Sequence, residues 1–309
     1  MNSFKGRDLL TLADYSADEI AAILERAAEV KGNPAAWKKA LDGRTLAMIF
    51  EKPSLRTRVT FETGMTQLHG HAIYIGPNEA GLGTRESIPD VARNLDRWVD
   101  GIMARVFAHS KVDGLAASAR IPVINGLSDD HHPVQALADI MTIREAAGSI
   151  AGHKLAYVGD GNNVTHSLLQ AAALTGLSIS VATPAKYEPR ADIVKWAVDA
   201  GRKTGCKVEI THDIAAAVKG AHFIYTDVWA SMGQEAEAEA RRKIFLPYQV
   251  NAKVMKLAGT DPWFLHCLPA HRGDEVTDDV ADSPRSLIFQ QAENRLHSQK
   301  ALLVLLMGD

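Results

Sequence analysis

The chain has 309 residues, with 34 Lys and Arg against 37 Asp and Glu for a formal charge of −3; 46% of its residues are hydrophobic and 23% charged. That composition excludes a disordered chain, and the near-neutral balance excludes a polyanion binder working by bulk electrostatics, so any anion site has to be local. At about 150 residues per domain, the length predicts two domains.

Targeting and redox signals are equally plain. The longest apolar run, Ala301 to Met307, falls far short of the about 20 residues of a membrane helix. The first residues carry no apolar signal core, and Asp8, Asp14, Asp18 and Glu19 oppose a mitochondrial presequence. Cys206 and Cys267 are the only cysteines, which argues against a disulfide framework and for a reducing, cytoplasmic setting. The close histidine pairs His69/His71 and His131/His132 have no Cys or carboxylate at metal-site spacing, so no metal is expected.

In chain order, short β-rich runs alternate with longer helical stretches, the pattern of an α/β protein. The first half offers strands at Thr45–Phe50, Ala72–Ile75, Gly101–Arg105 and Ile121–Asn125. A helix from Leu55 to Leu68 sets Phe61, Met65 and Leu68 on one face. Another, from Pro133 to Ala147, begins on a proline suited to a first helical position. The second half offers strands at Lys154–Val158, Ser178–Ala182, Lys207–Ile210, Phe223–Thr226 and Trp263–His266, with Glu235 to Arg242 as a solvated helix or loop. A last helix runs from about Ser283 to Leu306. The reading is two doubly wound parallel-sheet lobes with a ligand cleft between them: residues 1–147, with the C-terminal helix 283–309 packed back on it, and residues 148–282.

The chemistry-bearing motifs sit where strands end. Pro53-Ser-Leu-Arg-Thr-Arg58 follows a strand and opens a helix, whose free N–H groups, with two hydroxyls and two guanidiniums, suit a phosphate dianion; an N-cap serine with surface arginines is the plainer reading. Gly159-Asp-Gly-Asn-Asn-Val164 follows another strand. It lacks the third glycine of a dinucleotide fingerprint, and Ser178–Thr183 lacks the acidic residue that would hold a ribose, which disfavours a nicotinamide cofactor. Asn163 could take a carboxylate or amino group, or merely cap its loop. Asp227-Val-Trp-Ala-Ser-Met-Gly233 offers a carboxylate, a hydroxyl and backbone donors, a set suited to the zwitterionic end of an amino acid, or an ordinary βα loop. His266-Cys-Leu-Pro269 adds a thiol and an X-Pro bond that, if cis, turns a carbonyl inward.

Taken in order, Phe50–Arg58, Ala104-Arg105, His132-Pro-Val-Gln135, Gly159–Asn163, Asp227-x-Trp-x-Ser-Met-Gly, His-Cys-Leu-Pro and Glu293-Asn-Arg295 resemble the ornithine branch of the aspartate/ornithine carbamoyltransferase family, from about Phe4 to near the C-terminus. The resemblance implies transfer of the carbamoyl group of carbamoyl phosphate to the δ-amine of L-ornithine, giving L-citrulline and phosphate in arginine biosynthesis, without cofactor or metal. It implies a carbamoyl phosphate site of Ser54, Leu55, Arg56, Thr57, Arg105, His132, Gln135, Cys267, Leu268 and Arg295. It implies an ornithine site of Asn163, Asp227, Ser231 and Met232, with Arg105, His132, Asp227 and Cys267 as catalytic residues. It further implies a homotrimer or an assembly of trimers, with the loop Asn78–Ser87 reaching a neighbour's site, and neither nucleic-acid nor membrane partners. Leu55 and Gly81 depart from the family pattern, where many members carry Thr and Gln. Three other readings stand beside this one: another amine acceptor such as putrescine or N-acetylornithine, a Rossmann-type oxidoreductase, and a non-catalytic binding homologue.

Overall fold

Runs of apolar residues with few breaks, such as Thr-Leu-Ala-Met-Ile-Phe at 45–50, suit strands covered on both faces. The computed structural model describes residues 4–230 and 237–308. The chain forms two compact units, Met1–Leu137 with Arg295–Asp309, and Ala138–Asn294; the division falls inside the helices Pro133–Ala147 and Ile288–Met307.

The first unit holds β1 (Thr45–Phe50), β2 (His71–Ile75), β3 (Gly101–Arg105) and β4 (Val123–Leu127) in one parallel sheet of order β2-β1-β3-β4. β3 and β4 are buried throughout and β1 nearly so, whereas the edge strand β2 is only partly covered. Ile49, Ile102 and Val123 share a core with Ala92 and Leu95 of the helix Ile88–Trp98 and with Val112 and Leu115 of the helix His109–Ala116. The end of the chain completes this unit. Gly6 N donates to Leu306 O at 3.0 Å, and Lys300 Nζ donates to Gln67 Oε1 at 3.0 Å.

The second unit holds β5 (Lys154–Val158), β6 (Ser178–Ala182), β7 (Val208–Thr211), β8 (Phe223–Thr226) and β9 (Trp263–His266), all parallel, in the order β7-β6-β5-β8-β9. The helix Asn163–Thr175 is buried from Val164 to Leu174, as its run of Leu and Ala residues requires. Val158, Ile224 and Phe264 pack with Val250, Val254 and Ile288 on the same sheet. Among the described residues, no helix is long and apolar enough to cross a membrane.

The structure moves several expected elements. β4 lies two residues later than Ile121–Asn125, because pairing resumes at Leu127 after a register shift that passes over Gly126. β7 runs Val208–Thr211 rather than from Lys207. The last helix starts at Ile288, not Ser283: Phe264 N donates to Arg285 O at 2.8 Å and Leu287 N to Phe264 O at 2.9 Å, so 283–287 is laid along β9 instead of coiling.

Strand order fixes where ligands can lie. In each sheet the winding reverses, between β1 and β3 and between β5 and β8, and crevices open at the carboxyl ends of strands at such points. The loop after β5 is packed to its limit. A Cβ at Gly161 would stand 2.3 Å from Pro189 N, 2.5 Å from Glu188 C and 2.5 Å from Tyr187 O, all backbone atoms. Gly161→Ala is therefore expected to cost about 1–3 kcal/mol or more, as overpacking does; a urea-unfolding stability equal to that of the parent within about 0.5 kcal/mol would contradict this packing.

Candidate active site

In the first unit, β1 gives way to the helix Leu55–Gln67, with Ser54 as N-cap: its Oγ accepts from Thr57 N at 3.2 Å. This leaves the first backbone N–H groups of the helix, Leu55 among them, at the carboxyl end of β1. Thr57 is fully buried, and its Oγ1 accepts from Arg295 at 2.9 Å, so its hydroxyl proton is left to point elsewhere. Arg295 also donates to Gln135 Oε1 at 2.7 Å. Arg105 ends β3 and is buried, as are His132 and Gln135 at the start of the helix Pro133–Ala147. Burial, followed by the charges of Arg295, Arg105 and Arg56, holds His132 well below the usual imidazole range. The imidazole is thus neutral at pH 7 and reports three guanidiniums around it. Arg58 is not one of them. It pairs with Glu62 at 2.9 Å and lies over the Tyr74 ring at 3.9 Å.

In the second unit, Asn162 rather than Asn163 caps the helix after β5, its Oδ1 accepting from Val164 N at 3.0 Å and Thr165 N at 3.2 Å. Its Nδ2 donates to Asp227 Oδ2 at 3.0 Å, while the Cys267 thiol donates to Asp227 Oδ1 at 2.9 Å. Asp227 is buried just past β8, and Cys267 is half-buried just past β9. Asn163 is the first residue of the helix, one position past the cap. Burial, with Asp227 and then Asp139 nearby, pushes the Cys267 thiol well above its ordinary range.

Leu268 takes a left-handed backbone with φ 58°, and the Leu268–Pro269 bond is cis. His266 Nδ1 accepts the Leu268 N–H at 2.9 Å, which puts the ring proton on Nε2, 3.3 Å from the buried Glu275 carboxylate. Glu275 also accepts from His271 N. Among the described residues Asp227, His266 and Cys267 are the three whose ligand-type atoms come close together, and those atoms are taken up by one another, by Leu268 and by Glu275.

In the segment expected to be solvated, residues 237–240 and Arg242 are exposed, and among its described residues Arg241 alone turns inward. It belongs to the helix Ala238–Phe245 and is buried beside the Tyr187 and Phe245 rings, donating to Trp229 O and to Asp160. Burial, only partly offset by Arg241, pushes the Asp160 carboxyl up to about 6. As pH falls through that value, Asp160 takes up a proton and the link weakens. Ser231 and Met232 lie outside the described residues.

The sequence thus points to most of these side chains but not to their supports. Asn162, Glu275 with His266, and the Arg241–Asp160 pair emerge only in the fold. A polar residue inside an apolar helical pattern, such as Asp139 among Ala136, Leu137, Ile140 and Ile143, is the one signal of this kind that the sequence offers.

The chain was compared with known proteins. Residues 7–145 match the aspartate/ornithine carbamoyltransferase, carbamoyl-P binding domain, and residues 151–306 match the aspartate/ornithine carbamoyltransferase, Asp/Orn binding domain. An ornithine carbamoyltransferase of Pyrococcus horikoshii is 57% identical, covering 99% of this chain and 97% of that protein. The anabolic ornithine carbamoyltransferase of Pyrococcus furiosus is also 57% identical, over 99% of this chain and 98% of its own length. A solved ornithine carbamoyltransferase structure from Pyrococcus furiosus superposes with a TM-score of 0.96 at 56% identity over 99% of both chains. One from Thermus thermophilus gives 0.88 at 46% identity, over 97% of this chain and 98% of that one. Two domain signatures that account for nearly all of the sequence, and full-length relatives above half identity, establish that the chain belongs to the aspartate/ornithine carbamoyltransferase family.

Proposed function

We propose that the protein transfers the carbamoyl group of carbamoyl phosphate to the δ-amine of L-ornithine, yielding L-citrulline and phosphate. The observation that carries this reading is the helix start Ser54–Thr57, with Thr57 bonded to Arg295 and Arg295 to Gln135, in one unit with buried Arg105 and His132, an arrangement suited to a phosphate bearing a transferable group. The anabolic designation of the Pyrococcus furiosus relative supports the biosynthetic direction, towards arginine.

We assign the phosphate to the Ser54–Thr57 helix start, Arg56 and Arg105, and the carbamoyl group to His132, Gln135, Cys267, the Leu268 carbonyl and Arg295. The α-amino and carboxylate groups of ornithine fall to Asn163, Asp227, Ser231 and Met232. The neutral amine attacks the carbamoyl carbon, the C–N bond forms, an oxyanion develops, and phosphate leaves with the electrons of the C–O bond, taking up the proton that the nitrogen gives up. Fixed cations aimed at that developing charge supply the largest catalytic contribution. A neutral His132 donates a hydrogen bond without competing with the guanidiniums for the anion. Cys267, kept as a thiol, has no nucleophilic part in this scheme.

The oligomer belongs to the same proposal. Leu55 is 74% exposed, Val59 49% and Ile73 41%, on the helix Leu55–Gln67 and on the uncovered edge strand β2 that packs beside it. Exposed apolar side chains along a free strand edge are what a second copy covers, and a closed ring of three copies leaves none bare.

Ornithine's amine, with a pKa of about 10.4, is neutral in only about one molecule in a thousand near pH 7.4. With carbamoyl phosphate saturating and ornithine below its KM, citrulline formation should rise from pH 6 to 9, with no inflection from His132, whose depressed pKa keeps it neutral throughout. A flat profile, or faster product from putrescine, N-acetylornithine or L-aspartate, would remove ornithine from the reading. Arg56→Lys should cost about a hundredfold in kcat/KM for carbamoyl phosphate, since one ammonium cannot replace a planar fork on an anion; unchanged kinetics would displace the phosphate site. Light scattering should give three times 33.5 kDa or a multiple of it, and a monomer would refute the trimer.

A further inference from the structure

Behind Cys267 lies a group of buried polar side chains for which carbamoyl transfer provides no role. Asp139, on the helix Pro133–Ala147, is fully buried, and so are Tyr225 of β8 and Gln291 of the last helix. Asp139 Oδ2 accepts from the Tyr225 hydroxyl at 3.2 Å, and Oδ1 accepts from Gln291 Nε2 at 2.7 Å. Gln291 Nε2 also donates to the Tyr225 oxygen at 3.1 Å, and Gln291 Oε1 accepts from His266 N at 2.9 Å. Tyr225 also acts on the Cys267 thiol, favouring its ionisation against the opposing carboxylates.

Packing alone would be served as well or better by apolar side chains, because a buried carboxyl is costly unless its hydrogen bonds are complete. Here they are complete, and they impose a direction. The single Tyr225 proton is spent on Asp139. The sulfur therefore keeps its own proton, which goes to the stronger acceptor, Asp227 Oδ1 at 2.9 Å. We propose that Asp139, acting through Tyr225, is a positioning residue for Cys267: by drawing the Tyr225 proton to itself it leaves the sulfur as a thiol whose S–H is aimed at Asp227. The sulfur lone pairs are then turned away from Asp227, free to accept an N–H of the incoming amine; this last step rests on the proposed acceptor, whereas the state of the thiol does not.

The ionisable groups that face the sulfur within this unit are Asp227 from the end of β8, Asp139 from the helix Pro133–Ala147, Tyr225 from β8 and Tyr157 from β5. Removing the two groups should move the thiol in opposite directions. Asp139→Asn deletes a negative charge and, by placing an amide N–H against the phenol oxygen, turns the phenol proton towards sulfur. Tyr225→Phe deletes a hydroxyl that favours the thiolate, and leaves Asp139 in place.

The test is carbamidomethylation of Cys267 by iodoacetamide between pH 7 and 9.5, followed on its peptide by mass spectrometry, with buried Cys206 as internal reference. At pH 8 Asp139→Asn should react about tenfold faster than the parent and Tyr225→Phe about threefold slower, as the thiolate fraction rises in the one and falls in the other. In Tyr225→Phe, kcat/KM for ornithine should also fall severalfold while the KM for carbamoyl phosphate stays within about twofold. General loosening of the site would speed alkylation in both variants, and that result overturns the proposal. If Asp139→Asn does not fold, Tyr225→Phe decides alone: a rate equal to or above that of the parent refutes the arrangement. Because alkylation requires no turnover, its outcome is independent of whether ornithine is the acceptor.

Discussion

A concentration of positive charge around one buried imidazole governs the first unit. Arg105 and Arg295 are nearly inaccessible to water, Arg56 stands at the helix start, and His132 is held neutral among them. Like charges brought together away from solvent repel, and a neutral histidine shows that the protein does not add a further cation to the set. Such an arrangement is tolerable because the Arg295 guanidinium is tethered to Thr57 and Gln135, and because an anion with several oxygens can be shared by all three. The cost of assembling the charges before the ligand arrives is the preorganisation that makes them effective when negative charge develops.

Everything that positions those groups follows from the order of the strands. β1 and β3 are neighbours at the reversal of the first sheet, so the helix start after β1 and the arginine ending β3 face the same crevice. The second sheet repeats the logic: β5 and β8 are neighbours at its reversal, which brings Asn162 to Asp227, and β9 beside β8 brings Cys267 to the other oxygen of the same carboxylate. Residues 65 and 40 positions from Asp227 thus converge on its carboxylate.

Where the sequence succeeded in announcing structure, one local signal was enough. β1, β3, β5 and β8 are apolar runs bounded by polar residues, and a parallel strand covered on both faces needs nothing else. Where it misled, the decisive neighbour was distant. Asn125-Gly126 looks like a turn, yet both residues continue β4: the Asn125 amide is taken up by Leu10 O and Ser128 Oγ, and Gly126 leaves room for Met103. Arg241 and Arg242 are indistinguishable in sequence, but only the first turns inward to Asp160, while the second meets Asp274 at the surface. Asn162 and Asn163 pose the same problem. Helix geometry makes one of them a cap, and only the position of Asp227 shows which. The side chains we assign to the ligands were therefore more legible than those that hold them in place, because the former recur as motifs whereas the latter depend on contacts across the fold.

The formal charge of −3 conceals how differently the two units are charged where it matters. Around His132 the charged groups are cations, while around Cys267 they are Asp227 and Asp139, with Asp160 close to Asp227 and its one buried partner, Arg241, already engaged. A dianionic donor and a dibasic amino acid call for that separation. If cations and carboxylates were interleaved they would neutralise each other as ion pairs, leaving little field for either substrate. The acidic side has a further consequence for the thiol. Carboxylates that attract a cationic amine also oppose formation of a thiolate, so the same charges that suit the second unit to a basic acceptor keep Cys267 in the protonated, non-nucleophilic form.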